Sequence, residues 1–288
     1  MILVTCATGH LGQATLNFLV KKVPAGSVAA LVRDLSKGES LKSLGVSLRP
    51  GDYNDPASLA TAFKGVETLL LISSGSMENR LQQHINAIDA ARANGVKHII
   101  YTGVLKSKPD SKFTAGIDHY HTEEYLKKSG LSYTVFRNTY YTEVLPVFMG
   151  NALTTGQWYY AAGEAKANFA SRTDMAEALA NVLAEPAKHV NKIYEITGNK
   201  AHALSEIAAI VSGITGKQLN YIPVSLEELE AGMKKAGIPE HYISVMAGVA
   251  GSLGAGEFDA EDPALEQLLG RKPEEIGVTL GKVLAEKV

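Results

Sequence analysis

Cysteine is nearly absent: among 288 residues only Cys6 carries a thiol, which excludes an intramolecular disulfide and any zinc or iron–sulfur site built from clustered cysteines. Long apolar runs are missing as well. The wholly apolar stretches, such as Leu69 to Ile72, fall far short of the roughly 18 residues that a bilayer crossing demands. Neither sign of charge is in excess, with 28 Lys and Arg against 30 Asp and Glu. Basic residues occur at most as pairs such as Lys21-Lys22 and Arg271-Lys272, so no stripe able to neutralise a nucleic-acid backbone is present. Met1 runs directly into Ile2-Leu3-Val4 without a basic leader, which predicts no secretory signal and, with the single thiol, a cytoplasmic protein. Chemistry-bearing motifs are also missing. None of the 12 tyrosines has a lysine four positions later, which disfavours alcohol oxidation or sugar epimerisation by a Tyr-Lys dyad. There is no Gly-x-Ser-x-Gly elbow and no Walker lysine.

What is present is an ordinary folded composition, 45% hydrophobic and 20% charged, in a chain long enough for one large or two modest domains. Short aliphatic runs (Ile2 to Thr5, Val28 to Val32, Val46 to Leu48, Thr68 to Ile72, His98 to Tyr101, Tyr133 to Phe136) alternate with helical patterns. In the helix after the fourth run, Leu81, Ile85, Ile88 and Ala91 form the apolar stripe, with Gln82, Gln83, Asn86 and Arg92 off it. Strands apolar on both faces, separated by amphipathic helices, predict an α/β fold: a Rossmann-type, doubly wound parallel sheet. After Asn138 the regularity ends. A helix is expected over Glu143 to Leu153, an aromatic segment at Trp158 to Tyr160, and a helix capped by Asp174 and running through Leu183. Ile193 to Ile196 reads as a further strand of the main sheet, and Leu204 to Val288 as mostly helical, with a strand candidate at Leu219 to Ile222. The Gly-rich stretch Ala247 to Gly256 is expected to be a loop or flap. The domain expectation is therefore 1–140 with 174–198 as the dinucleotide-binding domain, and 141–173 with 199–288 as a smaller, mostly helical domain covering the substrate.

Directly after the first strand comes Thr5-Cys6-Ala7-Thr8-Gly9-His10-Leu11-Gly12 and then a helix. A helix N-terminus presents unpaired N–H groups and a positive dipole end. Gly9 lets the backbone approach a diphosphate, and Gly12 permits close helix–sheet packing. Thr8, Gly9, His10, Leu11 and Gly12 are thus the expected phosphate contacts. Arg33 ends the second strand about 20 residues further on, where a guanidinium can pair with a 2′-phosphate and favours NADP, although the adjacent Asp34 could bind a ribose or pair with Arg33. Asp52, Tyr53, Ser73, Ser74 and Thr102, after the third, fourth and fifth strands, are further expected coenzyme contacts. His119, His121 and Glu123 begin a helix, where Glu123 shares a face with His119 and could orient its imidazole. No third ligand accompanies the two histidines, so no metal is expected. Asn138 and Tyr141, at the carboxyl edge of a strand, complete a candidate catalytic set with His119, Asn138 also contacting the coenzyme. The stripe Tyr141, Leu145, Phe148, Ala152 reads as packing.

The opening Val4 to Gly12, the Leu31-Val32-Arg33 run, Gly51-Asp52-Tyr53, Ser129 to Asn138 with Tyr141, Ser171 to Asp174 and the closing Leu268 to Arg271 resemble the NmrA-like atypical short-chain dehydrogenases. Within that family the resemblance is to the bacterial branch containing NADPH:quinone oxidoreductase type 2 and triphenylmethane reductase. It implies NADPH binding and hydride transfer to a quinone-like or other electron-poor small molecule in the cleft between domains, with no membrane or nucleic-acid partner. His119 falls where related plant reductases carry a catalytic lysine. Cys6 departs from the family's glycine at the tight turn. The alternative function, also represented in the family, is a non-catalytic redox-sensing regulator that binds NADP or NAD without turnover.

Overall fold

The computed structural model describes residues 1–285. In chain order its strands are β1 Ile2–Val4, β2 Val28–Val32, β3 Ser47–Pro50, β4 Thr68–Leu71, β5 His98–Val104, β6 Ser132–Asn138, β7 Tyr140–Tyr141, β8 Gln157–Tyr160, β9 Lys166–Ala170, β10 Lys192–Ile196, β11 Ala201–Ala203 and β12 Asn220–Pro223. The helices are α1 His10–Leu19, α2 Glu39–Lys42, α3 Pro56–Ala62, α4 Arg80–Ala93, α5 Thr114–Lys128, α6 Leu145–Met149, α7 Ala152–Thr155, α8 Arg172–Ala184, α9 Leu204–Thr215, α10 Leu226–Lys235, α11 Glu240–Gly254, α12 Ala264–Leu269 and α13 Ile276–Ala285.

Seven strands form one parallel sheet in the order β10-β6-β5-β4-β1-β2-β3. Every residue of β2, β4 and β5 is buried, as a sheet covered on both faces requires. Alternation along each strand divides the apolar side chains between two cores. Val4, Ala30, Leu70, Ile100 and Phe136 pack beneath α1, α8 and α12. Leu3, Leu31, Leu69, Ile99 and Tyr101 pack beneath α3, α4 and α5. Strand order reverses between β1 and β4, so the loops leaving these two strands diverge to opposite faces and open a crevice at their carboxyl ends. A third core, with Leu145, Phe148, Trp158, Tyr160, Phe169, Leu204, Leu253 and Phe258, lies among the later elements.

The Rossmann-type sheet and its helical C-terminal region agree with expectation, as do the further strand of the main sheet, β10, and the strand β12 near Leu219 to Ile222; β10 lies beside β6 and β12 beside β8. Positions 286–288 of the expected helical tail lie outside the described residues. Three local expectations are corrected. The stretch Ala247 to Gly256 is mostly helix α11, not a loop. Its glycines are not forced by packing: a Cβ on Gly248 would stand 3.4 Å from the Lys112 carbonyl and one on Gly254 3.5 Å from that of Ala161, both ordinary contact distances. The cap of α8 is Ser171, whose hydroxyl accepts from Thr173 N–H at 3.1 Å, whereas Asp174 is buried in the first turn and binds Arg271 at 2.8 Å. The Glu143 to Leu153 helix is broken at Gly150, whose φ of 55° ends α6 before α7 begins. A small sheet, β11-β9-β7, was not anticipated.

Candidate functional site

The first crevice wall is the turn after β1. The Thr5 hydroxyl donates to Leu70 O and accepts from Ile72 N–H, both at 2.9 Å, tying the turn to β4. Cys6 then adopts a φ of 47°, the left-handed region that favours glycine, the residue the resemblance implies here. Its carbonyl accepts from Gly9 N–H at 2.9 Å. Gly12 sits against that carbonyl so closely that a Cβ would stand 2.5 Å from it. Helix α1 begins at His10 with no side-chain cap, leaving its first-turn N–H groups without a capping side chain just after Thr8 and Gly9. Thr8 and Gly9 line the crevice, His10 is exposed beside it, and Leu11 is buried under the sheet.

The crevice holds about 640 Å³, within the range of small-molecule sites. Besides Cys6, Thr8 and Gly9 it is lined by Arg33, Asp52, Tyr53 and Ser74, and by Asn54 and Gln83, which sequence reasoning missed. Arg33 is exposed at its rim and pairs with no carboxylate among the described residues. Asp34 is not its partner: the carboxylate accepts from both the N–H and the hydroxyl of Ser36, at 2.9 and 2.6 Å, and these bonds hold it below the usual carboxylate range. Asp52 folds its own loop by accepting from Asn54 N–H at 2.8 Å. Tyr53 lends its ring to the wall while its buried hydroxyl donates toward Thr5 Oγ1 and Ile72 O; burial pushes this phenol well above its ordinary pKa.

Ser73 and Thr102 meet each other rather than the crevice: the Thr102 hydroxyl accepts from Ser73 N–H at 2.9 Å. Behind this wall lies a buried polar set on α4, β5 and α5. The Tyr101 hydroxyl bonds His119 Nδ1 at 2.6 Å, and His84 Nδ1 bonds the Thr122 hydroxyl at 2.9 Å. Burial drives the His84 pKa down to about 3 and that of His119 well below normal, so both rings are neutral at ordinary pH. His119 lies in the middle of α5 rather than at its start, and Glu123 does not orient it. The Glu123 carboxylate is taken by Arg137, at 2.8 Å from Nη2, and by the Ser107 hydroxyl at 2.9 Å. Asn138, the last residue of β6, is buried, and its side-chain oxygen finds no donor among the described residues. Tyr141 lies one strand further, with the Arg172 guanidinium 4.7 Å from its ring centre; burial pushes the phenol up to about 12. Leu145, Phe148 and Ala152 are core residues, as the stripe suggested. Thus the phosphate turn, Arg33, Asp52, Tyr53 and Ser74 converge on one crevice, whereas His119, Asn138 and Tyr141 lie outside its lining, toward the β5–β7 side.

The residues present suit a phosphorylated dinucleotide. A guanidinium without a carboxylate partner faces the crevice, no Cβ is tolerated at Gly12, and a buried amide oxygen at the end of β6 lacks a donor. The motifs Ser171 to Asp174 and Leu268 to Arg271 have a structural explanation instead. Arg271 bonds Asp174 and Glu177, and Asn181 bonds Leu268 O, latching α8 to the end of α12.

Comparison with known proteins agrees with this geometry. The chain is 39% identical to quinone oxidoreductase 2 of Escherichia coli strain K12 over 271 residues, 94% of each chain. It is 28% identical to an NAD(P)H azoreductase of Xenophilus azovorans over 85% of each. The structure of the NADPH-dependent E. coli quinone oxidoreductase complexed with NADPH superimposes with a TM-score of 0.94 at 36% identity, covering 99% of this chain and 100% of that one. The Citrobacter sp. triphenylmethane reductase complexed with NADP(H) superimposes at 0.90 and 35% identity, covering 98% and 100%. The model of the NmrA-like family matches residues 1–279, and the chain belongs to that family.

Proposed function

We propose that the protein is an NADPH-dependent oxidoreductase that reduces a quinone-like or other electron-poor conjugated acceptor, in keeping with what its relatives act on. The observation that carries this reading is Arg33, whose guanidinium faces the crevice while Asp34 is occupied by Ser36. NADPH, when bound, supplies the hydride. The chain's own part is to bind, orient and polarise. Thr8 to Gly12 receive the diphosphate on the first turn of α1, and Arg33 receives the 2′-phosphate. Asp52, Tyr53, Ser73, Ser74 and Thr102 form or brace the adenosine wall.

Asn138 offers its unpartnered oxygen to a donor of the coenzyme or acceptor, and Tyr141 offers a protonated phenol. His119, neutral and engaged at Nδ1, can contribute an N–H hydrogen bond but not an imidazolium proton. An electron-poor acceptor needs little more than alignment and donors where negative charge develops, which accounts for the missing Tyr-Lys dyad. Residues 1–140 with 174–198 serve as the coenzyme domain and 141–173 with 199–288 as the cover, a division supported by the core that Leu145, Trp158, Phe169, Leu204 and Phe258 share, while α12 packs beneath the main sheet. The lone thiol suits the cytoplasm. No helix among the described residues is long and apolar enough to cross a membrane.

The test is NADPH absorbance in the presence of benzoquinone, menadione and a triarylmethane dye. Steady oxidation with any one of them supports the enzyme. Binding without oxidation across the whole panel would assign the protein to the redox-sensing class.

A further inference from the structure

One serine of the crevice wall is held at every polar atom by a single helix. Ser74 lies in the loop between β4 and α4, and its neighbours Gly75 and Ser76 line the crevice with it. Its N–H donates to His84 Nε2 at 3.0 Å. Its carbonyl accepts from Arg80 Nε at 3.0 Å, and its hydroxyl donates to Gln83 Oε1. The three gripping residues stand at i, i+3 and i+4 on one face of α4, the spacing that brings side chains together on a helix. Each is itself fixed. Arg80 pairs with Asp118 at 3.0 Å, and His84 is held through Nδ1 by Thr122, whose hydroxyl donates to Asp118 O at 2.8 Å. Gln83 spends its remaining group across the crevice: Nε2 donates to Asn54 Oδ1 at 3.0 Å, in the loop after β3. One buried glutamine therefore joins the two walls.

Burying so many polar groups is justified energetically only if each is satisfied, and here they are, by one another. This explains why Gln83, polar and off the apolar stripe, is nevertheless buried. A wall fixed in this way does not have to be ordered when a ligand enters.

We propose that Gln83, with Arg80 and His84, sets the width of the crevice where the adenosine phosphates of the coenzyme bind, acting as positioning residues through Ser74 and Asn54. The proposal rests on the coenzyme reading above. It locates the effect in the adenosine half, because the bridge spans the walls lined by Asp52, Asn54 and Ser74.

The test uses the full chain and two ligands, NADPH and adenosine 2′,5′-bisphosphate, titrated by calorimetry against the wild type, Gln83→Leu, His84→Phe, His84→Gln and Asn54→Ala. Gln83→Leu and His84→Phe should raise the Kd of both ligands by the same factor, about 10-fold. In both, kcat at saturating NADPH should stay within about two-fold of wild type, since the proposal assigns these residues no contact with reacting atoms. His84→Gln keeps an acceptor and should recover most of the affinity. Asn54 is exposed, so Asn54→Ala folds even if the buried variants do not, and it should cost about three-fold for both ligands. Unchanged bisphosphate affinity in Asn54→Ala and in whichever buried variants fold would overturn the proposal. So would a loss confined to kcat. A wild type that binds neither ligand would instead sink the coenzyme reading on which the proposal rests.

Discussion

The two sides of the carboxyl edge of the sheet are built differently. On the β1–β4 side the loops are fixed before any ligand arrives: Thr5, Tyr53, Gln83 and His84 tie them to one another, and the Arg33 guanidinium facing the crevice has no carboxylate partner among the described residues. On the β5–β7 side, buried polar groups lack partners, notably Asn138 Oδ1 and the Tyr140 hydroxyl, and aromatic rings crowd behind them, with Tyr140 stacked 4.1 Å from Phe258. The first side has the character of a preorganised binding surface. The second carries buried polar atoms left without a hydrogen-bond partner among the described residues.

The most damaging way to break this contrast is to disturb the fixed side at its closest packing. Gly12→Ala places a Cβ 2.5 Å from the Cys6 carbonyl, so the turn must move. Coenzyme affinity should fall by about 100-fold and stability by about 1–3 kcal/mol, read by calorimetry and by urea unfolding.

Acid titration probes the polar set behind the same wall. His84 and His119 have depressed pKa values in the folded state, so they hold fewer protons there than in the unfolded chain. The contribution of His84 is complete above about pH 6.5 and is lost as pH falls toward its folded value of about 3, and that of His119 is lost in the same direction. At pH 5 His84 alone should cost about 2 kcal/mol relative to pH 7.5, and His84→Gln should flatten the urea midpoint profile by that amount.

On the other side the expected sign is opposite. Asn138→Leu removes an oxygen that has no donor, so stability should be unchanged or slightly higher while kcat falls about 10-fold, separating function from folding in one variant. The smallest effect is expected at Cys6. Cys6→Gly relieves a φ of 47° but loosens the unfolded chain, and these opposing terms of about 1–2 and 0.5–1 kcal/mol should leave a gain below about 1 kcal/mol in urea unfolding.

The same contrast governs how much could be read from sequence. The phosphate turn was legible because its requirements are local: a strand, a glycine without room for Cβ and an uncapped helix follow one another within a dozen residues. Gln83 was not, because apolar periodicity measures burial by hydrophobicity, whereas Gln83 is buried by bonds to Ser74 and Asn54 in other loops. Asp174 was misread as a cap for a similar reason: its partner, Arg271, is 97 residues away. Glu123 shares a helix with His119 yet answers to Arg137 on β6, a neighbour that only the tertiary fold supplies. The glycines of α11 look like loop formers, but Ile243, Ala247, Val249, Ala250 and Leu253 on the same helix are buried, and that apolar face holds the segment helical.

The central claim, a crevice prepared for a dinucleotide bearing a 2′-phosphate, is tested most directly by calorimetric titration of wild type and Arg33→Ala with NADPH and NADH. Wild type should bind NADPH the more tightly, and Arg33→Ala should weaken NADPH by about 10- to 150-fold while leaving NADH unchanged, the loss of a charge-assisted contact. Equal affinities for the two coenzymes in wild type, unaffected by Arg33→Ala, would contradict it.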